Sequence, residues 1–158
     1  MPNIKLIAIG KTDNNHLQSL IDDYQKRLGH YIRFEFEIIP DLKKAKHLSE
    51  VQQKEKEGEL ILNKIQKSDV VILLDENGKQ LDSVAFSDYL QKHLNSGIKT
   101  LIFIIGGPYG FSDQLYQRAN GKLGLSKMTF SHQMVRLFFI EQLYRGFTIL
   151  RNEPYHHR

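Results

Sequence analysis

Short apolar runs alternate with amphipathic segments along almost the whole chain. Three runs of strand length end in glycine or in polar turn residues, at residues 3–10, 69–75 and 100–107. Apolar residues at helical spacing fill segments between them, at residues 14–29, 49–66 and 83–97. Strands this apolar, separated by helices, are typical of a parallel sheet with helices on both faces. The pattern predicts a single α/β domain over residues 1–158 with a mostly parallel sheet.

Weaker patterns predict the remaining elements. Residues 32–40 alternate apolar and charged side chains, which predicts a half-exposed strand near an edge of the sheet. Asn77-Gly78 is a strong turn signal, so we expect the third of the chain's strands to end in a turn at residues 76–79. The pattern further predicts a mobile lysine-rich loop at 41–47, a short helix at 112–120, and a short strand or loop at 122–130.

A long last helix is predicted over residues 131–152, beginning near Ser131 or His132. Its apolar residues point to nearly every side: Val135, Leu137, Phe138, Phe139, Ile140, Leu143, Phe147, Ile149 and Leu150. A helix that is apolar nearly all round must be covered on several faces. In a chain this small, a second subunit is the simplest cover, so we expect a homodimer that buries this helix.

Composition narrows the class of protein. The chain has 41% apolar and 25% charged residues, an ordinary soluble composition, and no apolar run long enough for a membrane span. With no cysteine it has no disulfide framework, no thiolate nucleophile and no cysteine-based zinc site. The N-terminus does not resemble a signal peptide. We therefore expect a cytoplasmic protein.

The positive charge lies in the C-terminal half. Residues 1–79 hold 13 basic and 13 acidic side chains, whereas residues 80–158 hold 9 and 5, which accounts for the whole net charge of +4. A basic face of this kind can bind the phosphate backbone of a nucleic acid. The alternative is a set of solvated lysines and arginines on ordinary helices.

Three strand ends carry residues that suit a ligand: "LLDENGK", "IIGGPYG" and "LGLSKMTF". In open α/β sheets ligands bind beyond the carboxyl ends of the strands. The glycines match neither a P-loop nor a dinucleotide fingerprint, and Pro108 removes an amide that would face a phosphate. An adenosine-type ligand in an apolar slot remains compatible with these loops. The alternative is that the glycines only form turns.

The histidines show no metal-binding spacing, which predicts that the protein has no metal site. His132 at the start of a helix is more often a capping or surface residue than a catalyst. Glu141 and Arg145 are four residues apart on the last helix, a spacing typical of an ordinary ion pair.

Taken together, the late motifs resemble the ribosomal large subunit methyltransferase H family of the SPOUT superfamily. The resemblance rests on "IIGGPYG" and on "LSKMTFSHQMVRLFFIEQLYRGFTILRNEPYHH", and it extends to "IAIGK", "EKEGELIL" and "LLDENGK". It implies a minimal SPOUT fold with a deep C-terminal trefoil knot, where the pattern alone suggested an unknotted sheet. It also implies a homodimer that packs around the knot and shares its active sites.

The resemblance implies methyl transfer from S-adenosylmethionine to N3 of a pseudouridine in large-subunit ribosomal RNA. The family further implies that the substrate is the assembled ribosome. Matching the motifs residue by residue implies a cofactor site at Leu74, Gly106, Gly107, Leu125, Ser126, Lys127, Met128, Thr129 and Phe130. Backbone hydrogen bonds and an apolar slot for adenine would hold the cofactor there.

The tail "NEPYHH" and "LYRGF" supply the catalytic residues that the resemblance implies. We expect His156 to assist deprotonation of the acceptor, Tyr155 to position the base, and Arg145 to stabilise negative charge or hold a phosphate. His157 is an alternative to His156, and His132 is a weaker candidate. Against these roles stand a disordered tail and a merely structural Arg–Glu pair.

Two other functions stay open at this level. A non-catalytic RNA-binding protein would use the basic C-terminal face alone and would not bind S-adenosylmethionine. A small nicotinamide-dependent oxidoreductase would need a glycine fingerprint after the first strand, which this sequence lacks.

Overall fold

A computed structural model describes residues 2–43 and 45–157 of the protein. Its strands are β1 (Asn3–Ile9), β2 (Phe34–Ile39), β3 (Val70–Gln80), β4 (Thr100–Ile105) and β5 (Gly121–Gly124). Its α-helices are α1 (Asn15–Leu28), α2 (Glu50–Leu62), α3 (Ser83–Leu94), α4 (Asp113–Arg118) and α5 (Met134–Leu150).

All five strands join one parallel sheet in the order β2-β1-β4-β3-β5. The predicted parallel sheet is therefore confirmed, and β2 lies at an edge as its alternating pattern indicated. Because every strand runs the same way, the carboxyl ends of β3, β4 and β5 meet at one edge of the sheet. This edge is where the three glycine- or turn-rich loops were expected.

Helices cover both faces of the sheet, as predicted. On one face, α1, α3 and α5 pack over a core that includes Ile4, Leu6 and Phe103. On the other, α2 and α4 pack over a core that includes Ile7 and Ile104. Neighbouring residues of one strand enter different cores because successive side chains of a strand point to opposite faces.

The helix starts follow local sequence signals. The Asn14 side chain accepts from the His16 and Leu17 amides at the start of α1. Ser49 and Gln52 form a capping box at the start of α2, which confirms the cap predicted at Ser49. Such caps satisfy amides that have no partner inside the helix.

The predicted end of the third strand is wrong. β3 continues through the expected turn to Gln80, and its pairing with β5 shifts register between Leu74 and Lys79. The turn signal forms a local irregularity within the strand and does not end it. In this irregularity the Asn77 amide donates to Asp75 Oδ1. Gly78 lies so close to the Leu123 backbone that a Cβ there would overlap it, so the bulge needs glycine.

The loop at residues 41–47 contains one turn of 3₁₀-helix, Ala45–His47. Lys44, within that predicted mobile loop, lies outside the described residues. None of the helices in the described part of the chain is long and apolar enough to cross a membrane.

Helix α5 begins at Met134, slightly later than expected, and its N-cap residue is Gln133. The Ser131 hydroxyl, in the turn before the helix, accepts from the Met134 amide. The chain itself covers most of this helix, which packs against α1 and α3. Its exposed large apolar residues are Met134 and Phe138, at 41% and 40% exposure, near its N-terminus. The apolar pattern of α5 is thus largely satisfied within one subunit, and the homodimer stays a prediction.

Candidate active site

A cavity of about 640 Å³ lies at the carboxyl edge of the sheet, beyond β3, β4 and β5. This volume suits a cofactor-sized ligand. Its lining comes from the three loops named above, from α4 and from the start of α5: Leu74–Asn77, Ile105–Phe111, Tyr116, Leu123, Leu125, Ser126, Met128–His132 and Val135.

Eight of the nine residues expected in the cofactor site line this cavity: Leu74, Gly106, Gly107, Leu125, Ser126, Met128, Thr129 and Phe130. Lys127 is the exception, since it is exposed and does not line the cavity. His132, the weaker catalytic candidate, does line it. The structure thus brings together loops that are about 30 and 20 residues apart in sequence, as a parallel sheet requires.

Two carboxylates at the cavity were missed by sequence reasoning. Asp75 accepts from the Tyr116 hydroxyl at 2.5 Å, and Glu76 accepts from Thr129 Oγ1 at 2.9 Å. Burial, together with the bond to Asp75, raises the pKa of Tyr116 to about 12, so this phenol stays a neutral donor. The negative charge at the rim favours a cationic ligand. The "DEN" in "LLDENGK", the first of the three strand-end segments, was the available signal.

The glycine loop after β4 is a closed turn. The Gly110 amide donates to the Gly107 carbonyl at 3.1 Å, and Gly110 has a positive φ of 85° that favours glycine. Gly107 packs directly against the carboxyl of Glu57 on α2. Glu57 is only 4% exposed, and its Oε1 has no hydrogen-bond partner among the described residues. Burial raises the pKa of this carboxyl.

A second set of contacts ties the start of α5 to the loop after β1. The Gln133 side chain accepts from the Asp13 amide and donates to the Lys11 carbonyl, both at 3.1 Å. Arg136 is fully buried and donates to the Ile9 and His132 carbonyls and to Thr12 Oγ1. These bonds fix the last residues of the cavity lining relative to the sheet.

The three expected catalytic residues form a separate cluster. Arg145 Nη1 lies 3.0 Å from His156 Nδ1, and the Arg145 guanidinium lies over the Tyr155 ring at 4.8 Å. Arg145 also donates to both oxygens of Glu141, from Nε and from Nη2. The structural Arg–Glu pair is therefore present, and the same guanidinium contacts the tail.

Tyr155 is held by aromatic and polar neighbours from α1 and α5. Its hydroxyl lies 3.1 Å from that of Tyr24 and 3.4 Å from Glu141 Oε2, and its ring meets Tyr144 edge to face. Burial and the bond to Tyr24 raise the pKa of Tyr155 well above its usual range. The tail is packed at Tyr155 and His156, whereas His157 is exposed. The geometry thus distinguishes His156 from His157.

The cluster and the cavity lie far apart within one chain. Val135 lines the cavity, and Arg145 follows ten residues later on the same helix. At 1.5 Å per residue these positions are roughly 15 Å apart along the helix axis. Neither Arg145, Tyr155 nor His156 lines the cavity. Within the described ranges no group of three metal-ligating side chains occurs.

The sequence of the whole domain matches a known class of enzyme. The family model "Predicted SPOUT methyltransferase" matches residues 2–156, and the chain belongs to the SPOUT methyltransferase family. It is therefore a methyltransferase, which confirms the family resemblance of the motifs and removes the oxidoreductase alternative.

Among its relatives are several ribosomal RNA large subunit methyltransferases H. The chain is 74% identical to that of Flavobacterium psychrophilum over 156 residues, which is 99% of both chains. It is 54% identical to that of Bacteroides thetaiotaomicron over 152 residues, 96% of this chain and 97% of the relative. The SpoU methyltransferase AviRb from Streptomyces viridochromogenes, solved with AdoMet, aligns with 93% of this chain and 61% of its own at 10% identity. Its TM-score of 0.48 is too low to bear on the site.

Proposed function

We propose that the protein transfers a methyl group from S-adenosylmethionine to large-subunit ribosomal RNA, at N3 of a pseudouridine in the assembled ribosome. The full-length relatives are named ribosomal RNA large subunit methyltransferases. The observation that carries the proposal is the cavity, where eight of the nine residues expected to hold the cofactor line one space. Such an enzyme works where ribosomes are, so we also propose a cytoplasmic location.

The size, the apolar lining and the charge of the cavity support S-adenosylmethionine as its ligand. Leu74, Ile105 and Leu125 supply apolar walls for an adenine ring, and the glycine loop lets backbone approach the ligand closely. The carboxylates of Asp75 and Glu76 complement a ligand that carries an ammonium and a sulfonium group. When bound, this cofactor supplies an electrophilic methyl carbon attached to positively charged sulfur.

The cluster of Arg145, Tyr155 and His156 suits the methyl acceptor. The imide N3–H of pseudouridine is a weak acid, so transfer requires that the nitrogen lose its proton and that the resulting charge be stabilised. The cluster offers a cation, an imidazole and an aromatic ring within one group of contacts. Alignment of nucleophile and methyl carbon at about 3–3.5 Å supplies much of the remaining acceleration.

A homodimer is the simplest arrangement that joins the two halves of the site. Because about 15 Å of helix separates the cavity from the cluster in one chain, a cluster from a second subunit would face each cavity. The exposed apolar residues near the cavity, Met128, Phe130, Met134 and Phe138, support an interface there. We further propose the trefoil knot that the family resemblance implies, in a single domain over residues 1–158.

The test is methyl transfer from radiolabelled S-adenosylmethionine to ribosomes that lack the modification, followed by mass spectrometry of the RNA nucleosides. We expect label in 3-methylpseudouridine of large-subunit RNA. Calorimetry with S-adenosylmethionine distinguishes this function from that of a non-catalytic RNA-binding protein, which would not bind the cofactor. If the folded protein shows no binding at high micromolar cofactor and transfers no label, the proposed function is wrong.

A further inference from the structure

The contact between Arg145 and His156 determines which ring nitrogen carries a proton. Arg145 Nη1 lies 3.0 Å from His156 Nδ1. A guanidinium has only N–H donors and remains protonated in proteins, so it cannot accept a hydrogen bond. His156 Nδ1 must therefore be the acceptor. In the neutral imidazole the proton then resides on Nε2.

Arg145 is held so that this contact is maintained. Its Nε and Nη2 donate to Glu141 at 3.1 Å each, and the planar guanidinium then directs Nη1 at the imidazole. The Arg145 and Glu141 side chains are only 25% and 17% exposed, so solvent screens their attraction less than that of a surface ion pair. The bond to Glu141 keeps the pKa of Arg145 high, so the donor is always charged.

The surroundings of His156 differ from those of the general base in a Ser-His-Asp triad. In such a triad the imidazole receives a proton at one ring nitrogen while the other ring nitrogen donates to a carboxylate. Among the described residues no carboxylate is hydrogen-bonded to His156. In the described part of the chain His156 is hydrogen-bonded to Arg145, whose guanidinium also bonds to Glu141 and lies over the Tyr155 ring. The Tyr155 hydroxyl donates to Glu141 Oε2 and lies 3.1 Å from the Tyr24 hydroxyl.

We propose that His156 acts on the methyl acceptor as an Nε2–H hydrogen-bond donor, and that Arg145 is a positioning residue that fixes this tautomer. The proposal rests on the proposed function. The acceptor imide transfers its N3 proton to solvent hydroxide, and the negative charge spreads to the two flanking carbonyl oxygens. His156 Nε2–H donates to one of these oxygens. The N3 lone pair then forms the bond to the methyl carbon while the C–S bond breaks and its electron pair remains on sulfur.

The tautomer can be measured without any reaction. In a ¹⁵N-labelled protein at pH 8, the His156 ring signals are assigned by their loss in His156→Gln. We expect Nε2 to carry the proton and Nδ1 to be unprotonated. In Arg145→Ala we expect part of the population to carry the proton on Nδ1. A wild-type His156 with its proton on Nδ1 would overturn the proposal.

Two variants separate a donor from a base in the reaction. Glutamine offers an N–H donor at similar reach but cannot take up a proton, whereas alanine offers neither. We expect His156→Ala to lower methyl transfer by about 100-fold or more, and His156→Gln to retain at least about tenfold more activity than His156→Ala. Equal loss in both, with circular dichroism showing both folded, would indicate a base and contradict the proposal.

The pH dependence of the wild-type rate tests independently whether His156 acts as a donor or as a base. If solvent takes the proton, the rate continues to rise with pH above the range where imidazole titrates, because the imide itself ionises. A plateau that begins in the imidazole range and disappears in His156→Gln would overturn the donor role. If the wild type methylates no ribosomal RNA, the proposed function fails, and the NMR measurement still decides the tautomer.

Discussion

Gly107 lies directly against the carboxyl group of Glu57, so closely that a Cβ at position 107 would overlap Oε1 and lie 2.8 Å from Oε2. Gly107 belongs to the cavity lining, whereas Glu57 is buried on α2 behind it. The absence of a side chain at this position therefore lets the glycine loop sit against the helix. This contact links the geometry of the proposed cofactor site to the core between α2 and the sheet.

Substitution of Gly107 by alanine should weaken cofactor binding. The added methyl group forces either the loop or the Glu57 carboxyl to move, so we expect the affinity for S-adenosylmethionine to fall at least about tenfold, or 1.4 kcal/mol. Calorimetry measures this directly. Gly29→Ala is a matched control, since a Cβ there meets only backbone atoms at 3.4 Å. Additional removal of the carboxyl in Gly107→Ala/Glu57→Ala should restore part of the affinity, and unchanged binding in Gly107→Ala would contradict this account.

Glu57 should make stability depend on pH. Its folded-state pKa is raised by burial, so its contribution to stability is fully present below the unfolded pKa and is lost as the pH rises through the folded pKa. Between pH 5 and pH 8 the wild type should therefore lose stability relative to Glu57→Gln, which cannot ionise. Urea unfolding of both proteins at the two pH values gives this difference. A difference that stays constant, or that grows in favour of the wild type, would refute it.

Arg136 should be important for stability because its guanidinium is fully buried and makes three hydrogen bonds. Arg136→Ala leaves the Ile9 and His132 carbonyls without these donors, so we expect a loss of about 2–4 kcal/mol in the free energy of unfolding. Arg33 is exposed, and Arg33→Ala should change stability by no more than about 0.5 kcal/mol. Urea unfolding at one fixed protein concentration compares the two. Similar values for both variants would show that the buried bonds add little.

A shared active site predicts complementation between two inactive variants. Gly107→Val should disable the cavity, and His156→Ala should disable the acceptor cluster. Co-expressed in equal amounts, they should form mixed dimers in which one of the two sites is intact, giving about a quarter of wild-type activity. Each variant alone supplies the baseline. Sedimentation that shows a fully active monomer, or a mixture no more active than its parents, would exclude the shared site.

Much of the fold followed from local pattern. The apolar strands, the helical spacing and the cap at Ser49 depend on neighbouring residues, and each appears in the structure. Since parallel strands end at one edge, the same pattern placed the three loops of the cavity together. The motif resemblance added residue-level expectations for the cofactor site, and of those nine residues Lys127 alone lies off the cavity.

The end of the third strand and the cover of α5 depended on contacts that local pattern does not record. The turn signal at Asn77-Gly78 marks a real irregularity of the backbone, but β3 pairs with β5 both before and after it, so the strand continues. The apolar pattern of α5 indicated extensive cover, yet could not show that α1 and α3 supply most of it. Pattern records that a residue is buried without recording which residue covers it.

By itself, the sequence determined the alternation of strands and helices, the edge of the sheet that holds the cavity, and the family, because periodicity and motifs are properties of short stretches. Only the tertiary structure decided which distant groups meet. Tyr24 meets Tyr155 across 131 residues, Arg136 reaches the Ile9 carbonyl across 127, and Glu57 lies behind Gly107. Such pairs form because folding packs side chains from separate elements into one interior. A polar atom buried there without a hydrogen bond costs free energy, so the stable packing is one that supplies it with a partner.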